Sequence, residues 1–413
     1  MIKRLFKSTF LFVLISFLSC GNTNNKPNKA EAFNADNKHE DFQTSEEIIV
    51  GANRTEEYLP LIKDNRIGII ANQSSLIKNE NGTYTHLVDS LKNLGVNIKK
   101  VFAPEHGFRG EADAGEKVQD GTDLKTGLPV ISLYGSNKKP SAEQLKGIDM
   151  LIFDLQDVGT RFYTYISSLH YIMEAAAENK LQLLVLDRPN PNGNYIDGPV
   201  LETEYQSFVG MHPIPVVHGM TMGEYAKMIN GEGWLANGRK ADLSVMEMKN
   251  YDHSKLYSLP VKPSPNLPND QAIQLYPSLC FFEGTNVNAG RGTQKQFQLY
   301  GSPFLDEAIY HFTYTPQSLP GAKNPKHLGK TCYGEDLSQI EVPEKINLEW
   351  LIKAYQNTSD KEAFFNSFFT KLAGTKKLQQ QIERGLSAEE IRKSWEPGLQ
   401  DFRRTREKYL IYK

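Results

Sequence analysis

Cysteine is scarce in this sequence. Of three in 413 residues, Cys20 lies where an apolar leader ends, while Cys280 and Cys332 could pair in an oxidising compartment or remain as buried thiols. No apolar run approaches the ~20 residues of a bilayer-spanning helix, which excludes a polytopic membrane protein. Basic excess is missing too: 47 Lys and Arg face 49 Asp and Glu, so nothing calls for nucleic acid as a partner. The first strand-to-helix turn, Ala71-Asn-Gln-Ser-Ser75, lacks the G-x-G-x-x-G of a dinucleotide site, and no G-x-x-x-x-G-K-[ST] or G-x-S-x-G occurs. A nucleotide cofactor and an α/β-hydrolase serine are therefore not expected. His212 and His218, separated by six positions with Pro213 and Pro215 between, do not have the one-turn spacing of a helical zinc pair, and no metal is expected.

What remains is globular material. With 39% hydrophobic and 23% charged residues the chain can bury a large core, and its length suggests two or three domains. Residues 1–19 read as an export signal, with Lys3, Arg4 and Lys7 before the apolar stretch Phe10–Leu18. Phe17-Leu-Ser-Cys20 is similar to the lipobox of bacterial lipoproteins, which makes Cys20 the expected lipidation site. Residues 20–45, polar and poor in large apolar side chains, read as a flexible tether. The mature chain loses three bases and no acid with the signal, so it is mildly acidic.

The body, from Glu46, alternates two periodicities. Short β-branched runs at 66–71, 96–103, 129–134, 150–155 and 181–187 read as strands. Apolar residues at helical spacing fill 86–94, 141–146 and 163–178. Strands alternating with helices predict an α/β fold with a doubly wound parallel sheet. The strict alternation ends after Phe208–Gly233, and the Pro-rich stretch 260–268 must be extended or turning. Beyond Leu348 helical spacing returns, first through Leu348, Leu351, Ile352 and Tyr355, then through Phe364, Phe365, Phe368 and Phe369, as amphipathic helices would have it.

Ligands of open α/β sheets sit beyond the carboxyl ends of the strands, so the residues just after each strand matter most. They are Asn72-Gln-Ser, Pro104-Glu-His-Gly107, Tyr134-Gly-Ser, Asp154 through Arg161, and Asp187-Arg-Pro-Asn190. Glu105 stands out: at a cleft, lost hydration disfavours a carboxylate anion and suits a carboxyl to general-acid work. The same residue could instead cap a loop amide or pair with Arg109, and His106 could orient it or bind a hydroxyl. Asp157 and Arg161, ahead of Tyr163 and Tyr165, offer a carboxylate, a cation and aromatic faces. The glycine-lined loop 284–293 presents Arg291.

Pro104-Glu-His-Gly107, with Asp154-Leu-Gln-Asp-Val-Gly-Thr-Arg-Phe-Tyr163, Asp187-Arg-Pro-Asn-Pro191, Pro213–His218, Pro263–Pro268 and Phe282–Thr293, resembles the NamZ-like exo-β-N-acetylmuramidases from about Ile48 to Tyr412. Six motifs in one order are far more specific than any one alone. The resemblance implies a cell-wall glycoside hydrolase that releases N-acetylmuramic acid from the non-reducing ends of peptidoglycan fragments. It implies a Rossmann-like catalytic domain over 46–235 and a C-terminal α+β auxiliary domain over 236–413 that completes the cleft. By the same resemblance Glu105 is the catalytic acid. His106 and Asp157 join it as catalytic candidates, with Asn72, Arg161, Tyr163, His218, Asn266, Glu283 and Arg291 as substrate-binding ones. Arg161 or Arg291 would meet the lactyl carboxylate of muramic acid. The second catalytic group stays open between Asp157, Glu202, Glu283 and the sugar's own acetamido group. Rival readings are a wall-sugar-binding lipoprotein without activity, or a metal-dependent hydrolase using His106, His212 and His218. The expected partners are muramyl saccharides and, through Cys20, a membrane, with the body facing the periplasm or cell wall.

Overall fold

The computed structural model describes residues 46–105, 107–109 and 120–413. The export segment, Cys20, the tether, His106 and the acidic stretch 110–119 lie outside the described residues. The chain opens with α1 (Thr55–Ile62), β1 (Ile67–Ala71), the hairpin β2 (Leu76–Lys78) and β3 (Tyr84–His86), α2 (Leu87–Asn93) and β4 (Ile98–Ala103). There follow β5 (Gly121–Thr122), β6 (Pro129–Ser132), α3 (Ala142–Leu145), β7 (Met150–Asp154), α4 (Tyr165–Asn179), β8 (Gln182–Leu186), α5 (Met222–Gly231) and β9 (Asp242–Met246). Apart from the hairpin these strands form one seven-stranded sheet in the order β5-β6-β4-β1-β7-β8-β9, parallel except at β5–β6.

Every residue of β1 and β7 is buried, as continuous apolar runs covered on both faces must be. The doubly wound expectation is met, and a sixth parallel strand, β9, extends it. That strand is at the sheet edge and half exposed, so it has too little apolar periodicity to read as a strand in the sequence. The chain leaves β1 towards β4 but leaves β7 towards β8, so the winding reverses between β1 and β7 and opens a crevice beyond their carboxyl ends.

The remaining elements are α6 (Asp270–Leu279), β10 (Leu299–Ser302), β11 (Phe312–Tyr314) and β12 (Cys332–Asp336), then α7 (Glu349–Gln356), α8 (Ser367–Ala373), α9 (Lys377–Glu383) and α10 (Ala388–Arg406). The strands form an antiparallel sheet, β10-β12-β11. One apolar core runs without a break from the α4 and α5 face of the large sheet into α6 and α7 to α10, while α1 and α2 cover the opposite face. The phenylalanine spacing near 364 misleads in part. Phe368 and Phe369 are in α8, but Phe365 bridges Thr285 and Asn366 caps the helix, so Phe364 and Phe365 precede it. Cys280 and Cys332 are free and buried.

Candidate active site

Pro104 follows β4 and its carbonyl accepts from Gly107 N (3.1 Å), a tight turn that needs the positive φ (78°) of Gly107 and leaves Glu105 half-buried. Arg109, beyond it, stacks over Phe108 and donates to Asp123 (2.8 Å) and Asp89 (3.2 Å). Glu105 faces the start of α4, where its Oε2 accepts from Thr164 Oγ1 at 2.9 Å, and it is hydrogen-bonded to Tyr134. A small recess opens here. Its walls come from the β4 turn (Glu105), the entry to α4 (Phe162 to Tyr165), the Pro-rich loop (Ser264, Asn266, Leu267), α6 (Tyr276) and the 284–297 segment (Arg291, Phe297). Among the described residues Glu105 is the one carboxylate on this wall.

Local packing fixes these groups. Tyr163 donates its phenol to Pro263 O (2.8 Å) and meets Tyr165 edge-on at 4.8 Å. Burial pushes both phenols up, so they stay neutral. Arg291 donates through Nε to Glu283 (2.9 Å), lies over Phe297 and keeps about a quarter of its side chain (23%) exposed. Its loop is drawn in by Lys326, whose ammonium donates to the carbonyls of Phe282 (2.9 Å), Thr285 (2.5 Å) and Val287 (2.9 Å). Burial lowers the pKa of that ammonium to about 8.

The structure thus brings Glu105, Tyr163, Asn266 and Arg291 to one recess, with Glu283 directly behind Arg291. Three expected contacts require correction. Arg161 is fully buried and off the recess wall, and its two terminal nitrogens donate to four backbone carbonyls, Pro199 (2.7 Å), Ile214 (2.7 Å), Leu372 (2.9 Å) and Ala373 (2.7 Å), so it cannot meet a lactyl carboxylate there. Asn72 is equally buried. Its amide donates to Tyr165 (2.7 Å) and accepts from Ser74 N (2.9 Å), which makes it a support beneath the recess. His218 is 1% exposed, with Nδ1 accepting from Met220 N (3.2 Å).

Asp157 also points inward. It accepts from Gly159 N (2.7 Å), its Oδ2 is 3.8 Å from His218 Nε2, and it does not line the recess. Burial pushes Asp157 up to about 7 and His218 down to about 3. Glu202, the remaining carboxyl considered, is paired with Lys377 (2.7 Å) away from the wall. Among the described residues no three His, Cys, Asp or Glu side chains converge as a metal site would require, and no helix is long and apolar enough to cross a membrane. Sequence reasoning missed Thr164 and Lys326. The first is an ordinary helix entry and the second an isolated lysine, and neither has a local signature.

The chain matches two family models, "Exo-beta-N-acetylmuramidase NamZ, N-terminal" over residues 67–271 and "Exo-beta-N-acetylmuramidase NamZ, C-terminal" over residues 274–412. It is 43% identical over 379 residues to the peptidoglycan beta-N-acetylmuramidase NamZ of Bacillus subtilis (strain 168), covering 86% of this chain and 89% of that protein. Two solved structures of DUF1343 family proteins from Bacteroides fragilis NCTC 9343 are similar. One is 46% identical with a TM-score of 0.82, the other 28% identical with a TM-score of 0.74, and each match covers 89% of this chain and 99% of that one.

Proposed function

This chain belongs to the exo-β-N-acetylmuramidase NamZ family, and from that premise we propose that it removes N-acetylmuramic acid from the non-reducing ends of peptidoglycan fragments with Glu105 as general acid. The observation that carries the assignment is the position of Glu105 as the one carboxylate on the recess wall among the described residues. In its neutral form Glu105 passes its proton to the glycosidic oxygen as the bond from C1 to that oxygen breaks. The aglycone leaves as an alcohol, water supplies the new hydroxyl at C1, and the water's other proton returns to the carboxylate.

Positive charge developing at C1 needs a partner. Asp157 is turned into the interior, Glu202 is held by Lys377 and Glu283 by Arg291, which favours participation by the substrate's own acetamido oxygen. Arg291, partly exposed beside the recess, is the cation for the lactyl carboxylate. Turnover of a muramyl–N-acetylglucosamine disaccharide tests the acid: Glu105→Gln should lower kcat by at least about 100-fold. Unchanged turnover would refute the role.

The reading includes export and lipidation at Cys20, supported by the cationic head, the short apolar stretch and the Phe17-Leu-Ser-Cys20 sequence. The tether would then hold the enzyme on a membrane, facing the wall. Cys20→Ala should move the protein from the membrane to the soluble fraction; continued membrane association would contradict lipidation.

A further inference from the structure

Lys326 lies behind the recess wall and does not line it. An ammonium has three N–H donors and no acceptor, and here they go to three backbone carbonyls, Phe282 (2.9 Å), Thr285 (2.5 Å) and Val287 (2.9 Å). The next side chain continues the pattern, with His327 Nε2 donating to Asn286 O at 2.6 Å. Two adjacent residues thus satisfy four carbonyls between Phe282 and Val287. The same segment is tied to Arg291. Asn288 Nδ2 donates both to Lys326 O (2.8 Å) and to Arg291 O (3.1 Å). Gly292, at φ +80°, is so close to the residue before Lys326 that a Cβ on it would lie 2.6 Å from Pro325 Cγ.

Arg291 lines the recess, is partly exposed, and has its Nε held by Glu283 at 2.9 Å. Its pose depends on how the loop sets Glu283 against Arg291, and Lys326 grips that loop on both sides, at Phe282 beside Glu283 and at Val287 on the way to Arg291. We propose that Lys326 is a positioning residue for Arg291, holding the loop in the form that presents the guanidinium to the lactyl carboxylate of the substrate. The assignment rests on the muramidase reading, which supplies that carboxylate, and adds to it the residue that sets the geometry of its recognition. Proton loss undoes the grip: a neutral amine keeps two N–H groups and turns a lone pair towards the third carbonyl. Burial brings that loss to about pH 8, with the Arg291 charge adding to it and Glu283 opposing it. Of the other groups in this cluster, Glu283 and Arg291 are ion-paired, and Lys330 adds a positive charge from the exposed side. Burial drives His327 below its usual value and Cys280, Tyr276 and Tyr314 above theirs.

Paired binding measurements across pH test the role. The probes are the methyl β-thioglycosides of N-acetylmuramic acid and N-acetylglucosamine, which resist hydrolysis and differ only in the lactyl ether; titration calorimetry on the intact mature protein gives both Kd values. At pH 7 the wild type should prefer the muramic ligand by about 10-fold or more, as a charge-assisted hydrogen bond allows. Between pH 7 and 9.5 that preference should fall by at least about threefold, with its midpoint near the value of about 8 for Lys326. In Lys326→Met it should be low and flat with pH, and adding Lys326→Met to Arg291→Met should change it by less than about twofold, because the lysine acts through the arginine. If Lys326→Met does not fold, the pH profiles of wild type and Arg291→Met still decide: the first should slope and the second should not. A wild-type preference that is absent or constant with pH, an undiminished one in Lys326→Met, or one that still falls with pH in Arg291→Met would overturn the assignment. Hydrolysis of the muramyl disaccharide by a protein whose preference ignores pH defeats only the Lys326 role. A pH-dependent preference without hydrolysis defeats only the glycosidase reading.

Discussion

Removing Asp157 should expose a pH dependence that the intact protein conceals. Asp157 and His218 are both buried and 3.8 Å apart, and desolvation drives them in opposite directions, the acid from 3.8 up to about 7 and the imidazole from 6.5 down to about 3. Around His218 lie also Tyr225, His253, Arg406 and Arg161, and the three bases oppose its protonation further. Between pH 4 and 6.5 the folded pair holds one proton, on the carboxyl. The unfolded pair also holds one, on the imidazole, so their effects on stability cancel. In Asp157→Asn only His218 remains: the unfolded state binds a proton that the folded state refuses, so stability is full above pH 6.5 and falls as pH drops, by about 1.4 kcal/mol per unit. In His218→Phe only Asp157 remains, and its raised pKa gives the reverse slope. Stability is then greatest near pH 4 and declines as pH rises to about 7. Urea unfolding at half-unit intervals from pH 4.5 to 7 measures both. Over two units the Asp157→Asn protein should lose roughly 3 kcal/mol relative to wild type. Parallel curves for wild type and Asp157→Asn would refute the neutral buried pair.

The two arginines first considered for the lactyl carboxylate should separate cleanly. Arg161→Met strips the donor from four carbonyls, roughly 1–3 kcal/mol each before relaxation, and should cause severe destabilisation in thermal or urea unfolding. Arg291→Met should leave the melting temperature nearly unchanged and raise KM more for muramic than for glucosamine glycosides; equal effects on the two substrates would remove Arg291 from carboxylate recognition.

These arginines also show what the sequence could convey. The alternation of β-branched runs with helical spacing made the parallel sheet legible, because its central strands are buried on both faces and so carry unbroken apolar signals. The polar residues that follow those strands were equally conspicuous, but their type could not reveal their direction. Arg188 clamps Asp154 through Nε at 2.6 Å, and Asp187 accepts from Thr221 (2.7 Å), Gly223 N (2.8 Å) and the distant Tyr412 (2.8 Å). Asn72, Asp157 and Arg161 serve the same end. Most of the polar strand ends join neighbouring loops across the reversal of winding, and one, the turn bearing Glu105, presents its carboxyl to the recess.

That division has a physical cause. Where the winding reverses between β1 and β7, the diverging loops leave backbone groups that no ladder can pair, and they must be satisfied by side chains before any cleft can form. Ser75 Oγ donates to Asp154 O, Gln156 N to Ser74 Oγ (3.1 Å), and Arg161 closes four carbonyls drawn from segments as far apart as Pro199 and Ala373. Glu105 meets this network from β4, one strand away from the reversal, on a turn closed by its own backbone, and its side chain bonds Thr164 at 2.9 Å and Tyr134. The Glu105 carboxyl lines the recess, whereas Asp157, on the loop from β7 at the reversal itself, is buried away from it and holds that loop through Gly159 N.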